Sequence, residues 1–347
     1  MKIILLFLII YSLLINKSFA FNSIYETKYI DISIIDENIS EAKIKEIDRI
    51  KYLSLEGVLK NILTVNNFKK FSRSIELEDR VDYLIKNIII EDEFISLNRY
   101  SAKVKINFEN LEIIKLLRNL KIDYTDYFSP DILMISSKSN QLSNEGLSLN
   151  NSFYKNNSKK RVGLINLIYP DLSNNDRFIL PYKKIIDSDL YAFKKIANKY
   201  KSKFLFIVNI TQKKSINKFD IKVYSSIDND IKNIVIFESK DKINYENLMH
   251  LYFDKWWKDS NYINNSNLNL ISCSIKSFNL DDLNFINQSI SNVSQIKSNI
   301  LTKIKFGENL NNIVFYGGIS NLSNKLKNYN ILLSIDNKKN CTMSIKN

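Results

Sequence analysis

Apolar and polar residues alternate most clearly between Tyr100 and Phe108. Tyr100, Ala102, Val104, Ile106 and Phe108 occupy every second position, and the positions between them are polar. A period of two predicts a strand with one buried face and one face in water. The residues from Ile24 to Asp36 alternate in the same way and predict an earlier strand.

A helical period begins after Asn38, which can cap a helix together with Glu41 three positions later. On a helix, six aliphatic residues form a stripe about 120° wide: Ile44, Ile47, Leu55, Val58, Leu59 and Ile62. The stripe predicts one broad packing face. The next predicted elements are a helical piece near Asp79–Lys86, a β-rich stretch over Asn87–Ile95, a helix over Leu111–Leu120 and a strand over Ile132–Ser136.

This order of elements, β-α-α-β-β-α-β, predicts a two-layer α+β sandwich of the split-βαβ or ferredoxin-like type over residues 21–136. Residues 137–160 are rich in Ser, Asn and Lys and predict a linker or a long mobile loop. A middle α+β module follows over 161–262, with a helix over Ser188–Lys201, a strand over Phe204–Thr211, a polar strand pair across 219–238 and a helix over Tyr245–Lys258.

The last segment, 263–347, repeats the order of the first. It predicts a strand over 268–276, a helix over 280–292 capped by Asn279, strands over 296–306 and 312–317, a helix over 320–328 and a hairpin across 331–346. The fold class is therefore α+β, with two or three small two-layer sandwich modules in series.

The first twenty residues have the pattern of a secretion signal. Lys2 precedes a largely apolar run from Ile3 to Ile15, and Ser18-Phe19-Ala20 predicts cleavage after Ala20. The run is short for a membrane helix, which needs about 20 apolar residues, although an uncleaved anchor remains an alternative. We expect a periplasmic protein with no transmembrane span after cleavage.

The charge is distributed unevenly. The chain has a formal charge of +13, and the segments 21–136, 137–262 and 263–347 carry about −3, +9 and +5. A basic body could bind an anionic envelope polymer or lipid headgroups. However, only seven of the basic residues are Arg, whereas phosphate recognition usually employs the bidentate Arg side chain, so a solvated Lys-rich surface is favoured. Export argues against a nucleic-acid partner.

Several short motifs occur in a familiar order. They are Tyr25-Glu26, the strand from Arg99 to Phe108, the stretch Phe128-Ser129-Pro130-Asp131-Ile132-Leu133, the segment Arg177-Phe178-Ile179-Leu180-Pro181 followed by Ile186-Asp187-Ser188-Asp189, and Ala197-Asn198-Lys199-Tyr200 before the strand Phe204–Ile210. On these anchors the chain resembles the uncharacterised proteobacterial envelope family called domain of unknown function 2066. The family has Arg-Pro where this chain keeps only Pro130. The resemblance covers about residues 25–210 and implies an exported α+β protein, and it implies no activity.

The two cysteines, Cys273 and Cys341, fall in predicted strands of the last segment. In an exported protein they could form a disulfide if their strands are neighbours, but the extra hairpin could place Cys341 two strands away and leave both thiols free. With these two cysteines and one histidine, a structural zinc site of the usual Cys/His type lacks its four ligands. No cofactor is indicated.

Few residues are candidates for chemistry. Asp187 and Asp189 are the candidate metal ligands or acid/base pair, although helix capping ahead of Leu190 is the favoured interpretation. The triplet of carboxylates at 91–93 is typical of a solvated turn. His250 lies in an aromatic helix beside Asp254, where a core position is favoured over catalysis.

These observations predict an exported, non-enzymatic binding or scaffolding protein of the cell envelope, whose partner is another envelope protein or an anionic envelope polymer. Two alternatives remain open. One is a hydrolase of an envelope polymer that uses carboxylates such as Asp187 and Asp189, and the other is a carrier of a small ligand.

Overall fold

The computed structural model describes residues 23–74, 81–140, 143–148, 151–154, 160–213, 216–239, 245–277, 279–305, 307–336 and 340–345. The predicted signal sequence, with its cleavage after Ala20, lies outside the described residues. Helices and several small sheets make up the described chain, which confirms the α+β class. No helix in these ranges is both long and apolar enough to cross a membrane.

The helices are α1 (Ile39–Ile62), α2 (Val65–Ser74), α3 (Val81–Leu84), α4 (Asn110–Asn119), α5 (Asn174–Ile179), α6 (Tyr182–Ile186), α7 (Leu190–Lys199), α8 (Tyr245–Asn261), α9 (Leu280–Asn292) and α10 (Ile319–Asn328). The strands are β1 (Ile30–Ile35), β2 (Ile85–Ile95), β3 (Arg99–Phe108), β4 (Asp131–Ser139), β5 (Asn144–Glu145), β6 (Lys160–Val162), β7 (Ile165–Ile168), β8 (Phe204–Lys213), β9 (Ile216–Ser225), β10 (Asp230–Ser239), β11 (Leu268–Lys276), β12 (Ile296–Lys305), β13 (Glu308–Tyr316), β14 (Ile331–Ile335) and β15 (Cys341–Ile345).

The chain divides into two compact units. The first contains the described residues up to Val58 together with Leu84–Glu109, and its sheet is antiparallel with the order β1-β3-β2. The alternation predicted for β3 is confirmed, since Tyr100, Ala102, Val104, Ile106 and Phe108 are all buried.

Helix α1 begins as predicted. The Asn38 side chain accepts a hydrogen bond from the Glu41 N–H at 3.3 Å, and the Glu41 carboxylate accepts one from Asn38 in return. The apolar stripe is buried only in the second half of the helix, because Ile44 is 63% exposed. A helical period identifies the packing face of a helix, but it does not say how much of its length is covered.

The second unit contains Leu59–Tyr83 and the chain from Asn110 onward. Its larger sheet has the order β10-β9-β8-β4-β7-β6, with β5 attached to β4. Strand β4 runs parallel to both β7 and β8, and α5, α6 and α7 form the connection between these two neighbours. Apolar residues from β4, β8 and α7, among them Ile135, Ile207 and Phe193, form one core cluster.

Strand β4 differs from its predicted role. The sequence assigns Ile132–Ser136 to the sheet of the first module, whereas the strand pairs with β7 and β8 of the larger sheet. Its six consecutive buried residues, Ile132–Ser137, are the signature of a parallel strand covered on both faces. The prediction followed the order of elements along the chain and overlooked this continuous run.

The described part of the segment 137–160 differs from the predicted linker or mobile loop, and residues 141–142, 149–150 and 155–159 lie outside the described residues. The described part completes β4, adds β5 and a short 3₁₀ turn over Ser152–Tyr154, and contributes Leu147 and Tyr154 to the core. The Tyr154 hydroxyl accepts a hydrogen bond from the Ser136 N–H at 2.5 Å. Polar average composition therefore does not prevent individual apolar residues of this segment from packing in the core.

The last 80 or so residues form a sheet with the order β12-β13-β11-β15-β14 and carry α9 and α10. The helices and strands predicted for this segment are all present. The final hairpin, β14 and β15, affects only the order of the strands in the sheet. Strand β15 pairs in parallel with β11 and separates it from β14. Helices α9 and α10 contribute Ile286, Ile290, Leu322 and Leu326 to the core of this sheet.

This strand order determines the state of the cysteines. Cys273 on β11 lies directly opposite Cys341 on β15, with 4.4 Å between the Cα atoms, and the two form a disulfide. The hairpin therefore places Cys341 on the neighbouring strand rather than two strands away. The bridge closes a loop with a sequence separation of 68 residues.

We expect removal of the disulfide to lower the free energy of unfolding by about 4 kcal/mol, because the unfolded chain then regains the conformational entropy that the closed loop restricts. The measurement is urea unfolding of the Cys273→Ala/Cys341→Ala variant. Dithiothreitol should destabilise the wild type by a similar amount and leave the variant unchanged. Equal stability of the wild type with and without reductant would contradict the prediction.

Candidate functional site

The predicted acidic pair lies at a junction between two helices. Asp189 is the N-cap of α7, and its side chain accepts a hydrogen bond from the Ala192 N–H at 3.0 Å. Asp187 ends α6 as its C-cap. Capping is therefore the observed role of Asp189. Within the described residues, no group of three or more His, Cys, Asp or Glu side chains is placed to hold a metal ion.

The carboxylate triplet lies within β2 and not in a turn. A bulge after Glu91 interrupts the pairing of β2 with β3, and Asp92 adopts a positive φ of 52° there. Asp92 and Glu93 form exposed ion pairs with Lys103 and Lys43, at 2.7 and 2.6 Å. These contacts are surface ion pairs of small energetic value.

His250 is buried, with 7% of its surface exposed, on a helix whose neighbouring buried residues are Met249, Phe253 and Trp257. Asp254 on the same helix pairs with Lys258 at 2.6 Å. Burial raises the pKa of the Asp254 carboxyl, and the Lys258 ammonium opposes that rise.

The two tryptophans of α8 differ in burial. Trp257 is only 3% exposed and donates a hydrogen bond to the Tyr127 carbonyl oxygen at 3.2 Å. Trp256 is half-buried against Phe204 and Phe206 of β8. Phe253 and Trp257, four residues apart, define the buried side of the helix.

A buried carboxylate that the sequence did not single out lies at the start of α5. Asp176 accepts hydrogen bonds from Lys199 at 2.5 Å and from the Tyr200 hydroxyl at 2.7 Å, and it forms a capping box with Ser173. Burial alone would raise the pKa of the Asp176 carboxyl, but the hydrogen bonds from Lys199, Tyr200 and the Ser173 N–H outweigh it and lower the pKa. This cluster fixes the start of a helix to the end of α7.

A second buried ionic cluster joins the C-terminal sheet to the segment after α4. The Asp126 carboxylate accepts hydrogen bonds from the Ser294 hydroxyl at 2.6 Å and from the Lys325 ammonium of α10. Lys325 also donates to the Ser294 hydroxyl oxygen, and Arg118 donates to the Ser294 carbonyl oxygen. Ser294, between the end of α9 and the start of β12, is therefore hydrogen-bonded to Asp126, Lys325 and Arg118 at once.

A serine hydroxyl beside a lysine resembles part of a catalytic dyad, but this pair is enclosed. Ser294 is 3% exposed and Lys325 is 5% exposed, so a substrate has no route to the hydroxyl. Burial lowers the pKa of the Lys325 ammonium, and the Asp126 carboxylate opposes that shift. We interpret the cluster as structural.

A cleft between α9 and the strands β12 and β13 is the candidate binding feature in the described part of the chain. It encloses about 520 Å³, which is within the usual range for ligand sites. Leu283 and Ile290 of α9 and Leu301 of β12 supply apolar walls. The amides of Asn309 and Asn311 lie at its inner side, on β13.

The amides of the cleft are unusually deep. Asn309 and Asn311 are 8% and 4% exposed. The Asn311 amide donates to the Asn299 side-chain oxygen at 2.8 Å, and Asn299 donates in turn to Asn287 of α9 at 3.3 Å. In the described part of the chain, the side-chain oxygens of Asn309 and Asn311 have no hydrogen-bond partner.

The local sequence explains this arrangement. Asn309, Asn311, Ile313 and Phe315 alternate on the face of β13 that carries the helices, and all four are buried. Ile313 and Phe315 belong to the apolar core, whereas the two asparagines lie in the cleft. A buried amide oxygen without a partner costs about 1–3 kcal/mol. The cleft therefore has two amides in its wall whose oxygens lack a partner among the described residues, and because both oxygens are buried, a ligand donor reaches them only when these side chains turn toward the cleft.

This site was not predicted from the sequence. The available signal was an alternating strand in which asparagine occupies two positions that the pattern assigns to the buried face. That signal is weak in a chain where asparagine is frequent throughout.

A scan against protein-family models finds no family that matches the chain. A search of curated proteins also finds no significant match. The resemblance to the envelope family stays a prediction.

We expect Asp126→Leu to lower the free energy of unfolding by about 3–5 kcal/mol, because it leaves the Lys325 ammonium buried without its counter-ion. The double variant Asp126→Leu/Lys325→Met should recover most of that loss, since it removes both charges. Urea unfolding followed by tryptophan fluorescence measures both.

The matched control is Glu112→Leu, which breaks the exposed pair of Glu112 with Lys115 on α4. It should change the stability by less than about 1 kcal/mol. A double variant as unstable as Asp126→Leu alone would show that the buried charge is not the cause.

Proposed function

We propose that this chain is an exported binding protein of the cell envelope, and that the cleft between α9 and β12 is its binding site. The observation that carries the proposal is a cleft of ligand size whose wall contains two amides, Asn309 and Asn311, with oxygens that are unpartnered within the described chain. Buried polar groups are nearly always hydrogen-bonded, so a donor toward which these amides turn would satisfy both oxygens.

Two features support export. The sequence begins with the charged, apolar and small-residue regions of a secretion signal. The Cys273–Cys341 disulfide also supports it, because such bonds persist mainly in oxidising compartments.

A binding role fits the residues better than the two alternatives. The proposed hydrolase depends on Asp187 and Asp189, and Asp189 is already engaged in capping α7. A small-ligand carrier requires a deep apolar pocket, whereas this cleft is open and has amides at its inner side. The lysines of β12 agree with an acidic partner.

We expect the exported protein to begin at Phe21. Osmotic-shock extraction of a Gram-negative host that expresses the full chain, followed by mass spectrometry, should recover this N-terminus with Cys273 and Cys341 protected from alkylation. Ala20→Leu should block cleavage because the signal peptidase requires a small residue there, and Ser23→Leu is the control beyond the cleavage site. An intact chain in the cytoplasm with alkylated thiols would refute export.

We expect a photocrosslinker in place of Leu301, which lines the cleft, to capture a partner in living cells. The matched position is Ser272, which is exposed on β11 outside the cleft. The Asn309→Leu/Asn311→Leu substitution should abolish the product. It removes two unpaired buried acceptors but also the hydrogen bond from Asn311 to Asn299, so we expect the melting temperature to change little.

Asn312→Leu provides the control on the same strand, since Asn312 faces away from the cleft and accepts a hydrogen bond from Ser272. It should leave capture at Leu301 intact. Equal capture from Leu301 and Ser272, or capture that survives the double substitution, would refute the cleft as the site.

A further inference from the structure

We infer that the ligand of the cleft is an extended, acidic peptide segment of a partner protein, which adds to the free edge of β12 as a new outer strand. The inference rests on the proposed function, because it takes the cleft to be the binding site. It specifies the chemical class of the ligand and its mode of attachment.

The first support is the position of β12 in its sheet. It is the outermost strand of the order β12-β13-β11-β15-β14 and pairs only with β13 among the described strands. Its second edge therefore presents backbone N–H and C=O groups in a row. Such an edge is a template for an added strand.

The second support is the exposure of aliphatic residues on this edge strand. Ile300, Leu301 and Ile304 are 56%, 49% and 73% exposed. Proteins usually protect a free edge by covering it or by placing charges and bulges along it. Two bulges flank the stretch Ser298–Leu301, which itself pairs regularly with β13. A regular stretch with exposed aliphatic residues is suited to a peptide strand.

The register assigns each side chain of β12 to one face of the sheet. Paired residues share a face, so Leu301, opposite Asn311, and Ile304, opposite Asn309, lie on the cleft side. Lys303 is opposite Leu310 and therefore lies on the other side. An added strand would place alternate side chains over the cleft and beside Lys303.

The charges of β12 determine which side chains of an added peptide are favoured at its outer positions, on the face of the sheet away from the helices. The strand contains Lys297, Lys303 and Lys305 and no acidic residue. Glu308, opposite Lys305, is the one acidic partner in the register of β12 with β13. Acidic side chains of a peptide would therefore be favoured on the face away from the helices.

The cleft determines which side chains of the peptide are favoured at its inner positions, on the face of the sheet that carries the helices. Leu283, Ile290 and Leu301 favour aliphatic side chains, whereas the oxygens of Asn309 and Asn311 require donors. Hydroxyl and amide side chains supply such donors. The predicted peptide alternates acidic residues with residues that are aliphatic or bear a hydroxyl or amide.

The test selects phage-displayed random peptides on the purified exported protein, after depletion on the Asn309→Leu/Asn311→Leu variant. We expect enriched peptides that alternate acidic residues with residues of the inner class. An enriched peptide is then synthesised in two forms that carry N-methyl groups on opposite sets of alternate residues, and binding is measured by fluorescence anisotropy.

Strand addition predicts an asymmetric result. Only one set of backbone N–H groups faces β12, so one methylated form should bind at least about tenfold more weakly and the other should bind nearly as well as the parent. This measurement uses the wild-type protein and does not depend on a variant that folds.

The test on the protein side is Lys303→Glu/Lys305→Glu, which should lower the affinity for the acidic peptide by about tenfold. The control is Lys327→Glu, which changes an exposed lysine of α10. Its affinity for the peptide should match that of the wild type, and thermal melting checks that both variants fold.

Several results would overturn the inference: no enriched peptide, enrichment of basic peptides, or equal effects of the two methylated forms. Self-association of the chain through β12, seen by light scattering and abolished by Ile304→Lys, would assign the edge to a second copy and overturn it as well. Crosslinking at Leu301 that depends on the asparagines, without peptide enrichment, would leave the proposed site standing and remove only the peptide. Failure of both experiments would remove the site itself.

Discussion

The buried ion pair between Asp126 and Lys325 is the constraint on which the C-terminal half of the second unit depends. Through Ser294 it fixes the junction between α9 and β12, which are the two elements that enclose the cleft. Taking two charges out of water costs several kcal/mol per ion, and only good geometry with further hydrogen bonds offsets that cost. The serine supplies such a bond. The buried cluster therefore restricts the connection between α9 and β12 to few conformations, and this restriction determines the shape of the cleft.

Much of the fold follows from local patterns. The alternation in β3, the cap at Asn38 and every helix and strand after Leu268 could be predicted, because each depends on neighbours in sequence. The membership of strands in sheets could not. Strand β4 joins β8 across more than sixty residues, and a parallel pair with helical connections leaves little trace in sequence order. The continuous burial of Ile132–Ser137 was the available clue.

The candidate site was less predictable than the fold. Conspicuous chemistry, such as Asp189, His250 and the acidic triplet, lies in a cap, in a core and in surface ion pairs. The cleft depends on which face of β13 the amides of Asn309 and Asn311 occupy, and on how far α9 lies from β12. The face follows from the alternation, but the separation depends on packing and on Ser294. The residue types that usually indicate catalysis or metal binding therefore did not indicate the cleft.

Asn309 and Asn311 are poor choices for stability alone. Leucine at the same positions would extend the apolar row of Ile313 and Phe315 and remove two unpaired acceptors. Residues that lower stability are expected at functional sites, because such positions serve ligand binding instead of packing in the core. The same reasoning applies to β12, which keeps aliphatic residues on a free edge. Both departures flank one cleft, and an added peptide strand would satisfy both, because its side chains donate to the amides while its backbone pairs with the edge.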